Sequence, residues 1–229
     1  MSIFSKSSAK LEKKVLAEPS KFIPRTTNQK IAYNTLHKKT PEFVILTGPA
    51  GTGKTMMACH VAAHAFQTSR VQKIVITRPA VSVDEEHGYL PGDIEEKLAP
   101  WMRPIYDTFS ETFGINGTKS MVAQGIIEIC PIAYMRGRTF KQSYIIVDEA
   151  QNTTPSQMKM VVSRLGENSS MAITGDLTQT DVSISGLADL VDKIHPDLFH
   201  IAHFHMDNSD IQRHAAVKEL LDVYEKDTM

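Results

Sequence analysis

Gly48-Pro49-Ala50-Gly51-Thr52-Gly53-Lys54-Thr55 follows the strand-forming run Phe43-Val44-Ile45-Leu46 and precedes a helical pattern over Met56–Phe66. The turn satisfies G-x-x-x-x-G-K-[ST] at every position, in the strand-turn-helix context that the motif requires. Glycines let the backbone point successive N–H groups inward around an anion, and a helix opening at Gly53 aims its positive end at the same place. Lys54 is long enough to reach the β- and γ-phosphate oxygens of a nucleotide, and the Thr55 hydroxyl is a ligand for the Mg²⁺ that accompanies them. Gly48, Pro49, Ala50, Gly51, Thr52, Gly53, Lys54 and Thr55 are therefore the expected nucleotide-binding residues.

The same short apolar signal recurs at Ile74–Ile76, Ile126–Ile129, Tyr144–Val147, Met171–Ile173 and Leu198–Phe204. Most of these runs are uniformly apolar rather than alternating, as in parallel strands covered on both faces. Helical patterns fall at Thr27–Lys39, Asp93–Thr108 (interrupted at Pro100 and Pro104), Ser156–Leu165, Gly186–Ile194 and Asp210–Glu225. Strands alternating with helices through right-handed crossovers predict a three-layer α/β fold, one domain around a mostly parallel sheet. Residues 1–20 are polar and Lys-rich and read as a flexible basic segment ahead of a domain over 21–229. The stretch 79–125 reads as an elaboration over one sheet edge.

Composition narrows the classes. A chain of 229 residues is long enough to bury roughly 70% of its unfolded surface. With 41% hydrophobic and 22% charged residues, it is neither disordered nor fibrous. The balance of 25 Lys+Arg against 26 Asp+Glu means that an anionic partner must be held by a local basic patch. Cys59 and Cys130 are too few and too far apart for a disulfide scaffold or metal cluster and read as buried thiols. No run approaches the ~20 apolar residues of a membrane span, and no secretory signal is apparent. A cytoplasmic protein without a membrane partner is expected.

Two further stretches complete a hydrolytic site. Tyr144–Val147 ends in Asp148-Glu149. Asp148 at the carboxyl end of a buried strand suits a water-mediated hold on Mg²⁺, and Glu149 suits a general base for an attacking water. Hydrolysis is therefore favoured over transfer to a small molecule. Thr174-Gly175-Asp176-Leu177-Thr178-Gln179 follows another apolar run, and from there Gln179 can reach the γ-phosphate and its water.

Six ordered strings carry a resemblance. Gly48–Thr55, Thr77-Arg78-Pro79-Ala80-Val81, Leu90-Pro91-Gly92-Asp93, Met135-Arg136-Gly137-Arg138-Thr139, Asp148-Glu149-Ala150-Gln151-Asn152 and Gly175–Gln179 together resemble the PhoH-like family of bacterial and phage P-loop ATPases. The resemblance runs from about Arg25 to Leu220. It implies a RecA-like fold similar to the first motor domain of superfamily-one helicases, with ATP and Mg²⁺ as cofactors. It further implies ATP hydrolysis coupled to single-stranded nucleic acid, RNA ahead of DNA. Gln29 then looks like the helicase element that reads adenine, its amide donating to N7 and accepting from N6. Arg78 falls where helicases touch the nucleic-acid backbone. Arg136 and Arg138 are candidates for contacts to nucleic-acid phosphates or to a neighbouring subunit, with surface salt bridging as the plain alternative.

Superfamily-one helicases complete the site with an arginine from a second motor domain, and this chain is too short for two such domains. Ser209–Val217 resembles the family's counterpart of that arginine motif, although Ala215-Ala216 replaces an expected Pro-Leu. If Arg213 is such a finger, it belongs to the next subunit's site, which implies a homo-oligomeric ring, by analogy a hexamer. An ATP-driven oligomeric switch acting on a protein partner, without translocation, is the alternative reading.

Overall fold

The computed structural model describes residues 22–79, 94–195, 197–213, 216, 217 and 219. The basic segment 1–20, the Leu90–Asp93 string and most of the predicted terminal helix lie outside them. The strands are β1 Phe43–Thr47, β2 Lys73–Thr77, β3 Ile127–Ile129, β4 Ser143–Val147, β5 Ser170–Gly175 and β6 Ile201–His205. They form one sheet in the order β3-β2-β4-β5-β1-β6, and every pairing is parallel. The helices are α1 Thr27–Leu36, α2 Lys54–Gln67, α3 Ile94–Phe113, α4 Ile115–Ala123, α5 Ile132–Met135, α6 Pro155–Val162 and α7 Gly186–Asp192.

Side chains alternate across each strand, so one uniformly apolar run feeds two cores. Val44, Leu46, Ile74, Ile76, Ile146 and Ala172 pack under α1, α2, α3 and α4 through Leu36, Met57, Val61, Phe109 and Met121. Ile45, Val75, Ile145, Val147 and Ile173 pack on the other face against Met158 and Val161 of α6 and Leu187 of α7. Helices, sheet and helices make the three layers. The order places β1 between β5 and β6 and puts β4 beside β5. The loops after β1, β4 and β5 therefore open side by side at the carboxyl end of the sheet, where ligands bind in folds of this kind.

Three elements differ from the sequence expectation. Helix α3 runs for 20 residues through Pro100 and Pro104 without a break. An interior proline costs about 3 kcal/mol. Met102, Ile105, Phe109 and Phe113 form a buried stripe at helical spacing, and burial stabilises by about 1.5–3 kcal/mol for each large side chain, which outweighs two prolines. The described part of 79–125 packs on α2 in the first core and meets the sheet edge where α4 leads into β3. Strand β6 begins at Ile201 rather than Leu198, and Leu198 and Phe199 are exposed.

The third difference bears on the site. In place of a helix starting at Asp210, the chain makes a 3₁₀ turn over Asn208–Asp210 and leaves it extended at Ile211. Asp207 accepts the Ser209 N–H at 2.7 Å, while the Asp210 carboxylate reaches back to the Asp207 N–H at 3.0 Å. This reciprocal cap satisfies the turn's free donors. Asp210 is 1% exposed and also accepts from the Thr26 hydroxyl and, at 3.0 Å, from the Asn28 amide. Three donors thus satisfy the buried carboxylate, and the Gln29 amide holds the Asp210 backbone carbonyl at 3.2 Å.

Candidate nucleotide-hydrolysis site

The phosphate loop leaves β1 at Gly48, whose φ is +130°. A side chain there would run into the backbone carbonyl of Met206, so the position needs glycine for its conformation and for its space. The loop delivers the chain into α2, whose first residue is Lys54. Lys54 is 9% exposed. Its ammonium donates to the Gly48 carbonyl at 2.6 Å, the Pro49 carbonyl at 2.8 Å and the Thr52 hydroxyl at 3.4 Å. Burial lowers its pKa, and the carboxylates of Asp176, Glu149 and Asp148 oppose that shift. The ammonium thus faces three acids across the cleft.

Across the cleft stands Asp148, at the end of β4 and 5% exposed. Its Oδ1 accepts from the hydroxyls of Thr55 and Thr174, both at 2.7 Å. The Thr55 hydroxyl and this carboxylate, predicted from two distant stretches, are thus in direct contact. Glu149 follows with φ of 51° and ψ of 40°, a left-handed conformation that costs a non-glycine residue of order 1–3 kcal/mol and persists where surrounding contacts impose it. The contacts are visible. Its Oε1 is 3.5 Å from Nη2 of Arg78, and its Oε2 accepts from the Gln151 amide at 2.6 Å.

Gln151 also accepts the Asp176 N–H at 3.0 Å, and Asn152 exchanges two hydrogen bonds of 2.9 Å with Asp181. These bonds zip the turn after β4 to the loop after β5, so Gln179 is carried to the mouth of the same cleft. The cleft has a volume of about 270 Å³ and is lined by Ala50, Gly51, Gly53, Lys54, Thr55, Asp148, Glu149, Asp176 and Gln179, among others. Gln151 and Asp176 received no role from the sequence, although both lie inside quoted strings. Asp176 is 6% exposed: Oδ1 accepts from the Thr178 N–H at 3.0 Å and its hydroxyl at 2.7 Å, and Oδ2 has no hydrogen-bond partner among the described residues. A buried oxygen without a donor, beside a lysine, marks room for a ligand's cation or water.

Other predicted residues are placed differently. Gln29 is 2% exposed and sits behind the phosphate loop. Its carbonyl oxygen accepts from the N–H groups of Arg25 and Thr26 at 2.8 and 3.3 Å, and its amide donates to the carbonyls of Thr52 and Asp210 at 3.1 and 3.2 Å. Both donors and both lone pairs are employed inside the protein, which leaves no position for a base. Arg138 grips Glu128 of β3 with two nitrogens, one of them at 3.0 Å, while its guanidinium lies 4.5 Å above the Phe140 ring. It serves as a strut to the edge strand, and its bond to Glu128 lowers that carboxyl's pKa, with Lys73 assisting. Arg136 is exposed at the end of α5. Neither Arg136 nor Arg138 lines the cleft.

Arg213, expected as a finger for a neighbouring subunit, is close to the phosphate loop within its own chain. It lies against its own phosphate loop: a Cβ added to Gly51 would come 2.7 Å from its Nε, and the Gln212 N–H donates to the Gly51 carbonyl at 2.9 Å. Asp210 anchors the turn just before this segment, and Arg213 stands beside the loop without being among the residues that line the cleft.

Comparison with known proteins places these features in a family. The family model "PhoH-like protein" matches residues 21–225. A PhoH-like protein of Bacillus subtilis (strain 168) is 45% identical over 191 residues, covering 82% of this chain and 60% of that protein. Protein PhoH of Escherichia coli (strain K12) is 43% identical over 164 residues, covering 69% of this chain and 46% of that protein. The chain therefore spans about half to three-fifths of these relatives. Among solved structures, a Sulfolobus solfataricus SWI2/SNF2 ATPase core aligns with a TM-score of 0.43 at 19% identity, covering 70% of this chain and 34% of that one. The Pif1 helicase of Candida albicans aligns with a TM-score of 0.43 at 11% identity, covering 88% and 43%.

Proposed function

Because the chain belongs to the PhoH-like family, we propose that it is a Mg²⁺-dependent ATP hydrolase whose turnover is coupled to single-stranded nucleic acid, with RNA ahead of DNA. One observation carries the hydrolase reading: Lys54 and the acids Asp148 and Glu149 face each other across one cleft, with Asp148 locked between the Thr55 and Thr174 hydroxyls. A phosphate loop without the acids would bind a nucleotide; the acids supply what cleavage needs.

The donor set fits Mg²⁺, since every side chain offered is a hard oxygen and Asp176 holds one in reserve. Thr55 and Asp148 would hold the ion, which when bound neutralises charge on the β- and γ-phosphates. Lys54 and the N–H groups at the start of α2 bind the triphosphate. Glu149 takes a proton from water as its oxygen bonds to the γ-phosphorus, and the bond to the β–γ bridging oxygen breaks, leaving ADP and phosphate. Gln179, at the cleft mouth, orients that water.

Coupling to nucleic acid rests on Arg78, which leaves β2 half-buried with its guanidinium beside the proposed base. A ring was expected because Arg213 would need a neighbour's site; with Arg213 against its own loop, ring assembly becomes a quantity to be measured. Among the described residues no helix is long and apolar enough to cross a membrane, and the free, buried Cys59 and Cys130 suit a reducing cytoplasm. The test is phosphate release with and without single-stranded RNA and DNA across a salt series, with mass in solution measured alongside and Lys54→Ala as the blank. Stimulation that falls steeply with salt supports coupling. Equal turnover in all arms removes the nucleic-acid part, and turnover no higher than the blank removes the hydrolase.

A further inference from the structure

Resting on the hydrolase reading, we propose that Arg213 serves the nucleotide bound by its own chain, and that Asp210 and Gln29 are the positioning residues that keep it there. The side chain of Arg213 passes over Gly51 with Nε, Cγ and Cδ within 3.3 Å of where a Cβ would stand. Gly51 lines the cleft together with Lys54 and Glu149. Arg213 is not itself among the residues lining the empty cleft, but a guanidinium carried on this arm has the phosphate loop of its own chain within reach and would bring a forked donor to a nucleotide held there.

What makes the placement specific to the chain's own site is the anchoring upstream. Asp210 accepts from the Thr26 hydroxyl, the Asn28 amide and the Asp207 N–H. Its carbonyl and the Thr52 carbonyl of the phosphate loop are both held by one group, the Gln29 amide nitrogen. Two residues later Gln212 donates to the Gly51 carbonyl. The strap is thus joined to the loop at Gly51 directly and at Thr52 through Gln29. From an anchored Asp210, three residues of backbone reach at most about 10 Å, and Arg213 has its own phosphate loop within that range. Gln29 explains itself on the same terms: its four hydrogen bonds tie loop, α1 and strap into one unit.

The experiment separates this placement from donation between subunits. Arg213→Ala and Lys54→Ala chains carrying different tags are co-expressed, and mixed assemblies are isolated through both tags and compared with each parent. Arg213→Ala alone loses about 10³-fold or more in kcat. It also loses affinity for a fluorescent non-hydrolysable triphosphate analogue while affinity for the diphosphate is kept. Mixed assemblies recover nothing, because the intact Lys54 and the intact Arg213 then lie in different chains. A species that is monomeric by mass, with the same loss in Arg213→Ala, equally supports placement within one chain. Recovery of turnover in mixed assemblies overturns the proposal, as does an Arg213→Ala protein with the parent's kcat and analogue affinity. A wild-type chain no faster than Lys54→Ala would instead mean that the hydrolase reading has failed.

The positioning role has its own readout. Asp210→Asn lowers kcat and affinity for the triphosphate analogue in the same sense as Arg213→Ala while diphosphate affinity is kept, and combining the two costs nothing further, since the anchor acts only through the arginine. Should Asp210→Asn fold poorly, Gln29→Glu, which keeps the acceptor and loses the donor, supplies the second measurement. Additive losses in both double variants would show a merely structural anchor and overturn this part.

Discussion

The Arg78 guanidinium stands 3.5 Å from one carboxylate oxygen of Glu149, while the Gln151 amide holds the other at 2.6 Å. Each oxygen keeps a lone pair for a water's proton, and the Arg78 contact holds the carboxylate in place at the cleft. Arg78 is the partner nearer the surface, so an external phosphate that draws it away frees the base. Arg78→Ala is expected to raise basal ATP turnover and to abolish its response to RNA. Because both groups are about a third exposed, the pair is worth no more than about 1 kcal/mol, and the basal gain is limited to about fivefold. Phosphate release with and without oligonucleotide measures both. A variant that is slower than the parent yet still stimulated would mean that Arg78 assists the base rather than restrains it.

Gln29 offers a comparison between two employments. If its amide bridges the loop and the strap, Gln29→Ala strands the buried Thr52 and Asp210 carbonyls and uncaps α1, whose capping box pairs Thr26 with Gln29. An unsatisfied buried group costs about 1–3 kcal/mol, so a loss of about 2–4 kcal/mol in denaturant unfolding is expected. ATP and GTP should then suffer alike. A selective loss of ATP over GTP at unchanged stability would restore the adenine-reading role.

The contrast shows what a sequence displays. The phosphate loop, Asp148 and Glu149 were legible because each is set by its immediate neighbours: a strand of fixed length, a turn that demands glycine, an acid at a strand's end. All the strands but β6 were placed within two residues for the same reason. Gln29 was not legible, because its partners lie 23 and 181 residues away and no local pattern records them. Arg138 likewise owes its fate to Glu128 and Phe140, brought beside it by the edge of the sheet. Helix α3 hid behind its prolines: the local penalty can be read from the chain, whereas the stripe that outweighs it needs α2 in place.

Asp176 carries a buried oxygen with no donor, a feature that costs stability in the free protein. Asp176→Asn keeps an oxygen for Thr178 and removes the stranded charge. The nucleotide-free protein should gain about 1 kcal/mol, equivalent to about 2–4 °C in Tm for a chain of this size. The Mg²⁺ concentration for half-maximal binding of a fluorescent ATP analogue should rise, since one acid facing Lys54 has gone. Lower Tm together with unchanged Mg²⁺ dependence would show that the oxygen is satisfied by ordered water and has no part in the site.

His37 sets a pH limit on the fold. Its ring meets Tyr33 edge-on at 4.7 Å and His64 at 4.8 Å, and its backbone carbonyl accepts from Arg70 at 2.6 Å. Burial, then the charges of His64 and Arg70, lower its pKa from 6.5 to about 4. The folded state therefore binds this proton later than the unfolded state does as pH falls. Its contribution is complete above 6.5, is lost between 6.5 and about 4, and levels off below. His60 and His203, both lowered chiefly by burial, act with the same sign. Each histidine contributes a slope of up to about 1.4 kcal/mol per pH unit. His37→Phe keeps the edge-on packing and the carbonyl that Arg70 uses, so it should flatten the decline between pH 6.5 and 4 while leaving the contributions of His60 and His203 in place. Denaturant midpoints at half-unit pH steps measure the difference between the two proteins, and parallel curves would show that His37 is protonated in the fold as readily as in water.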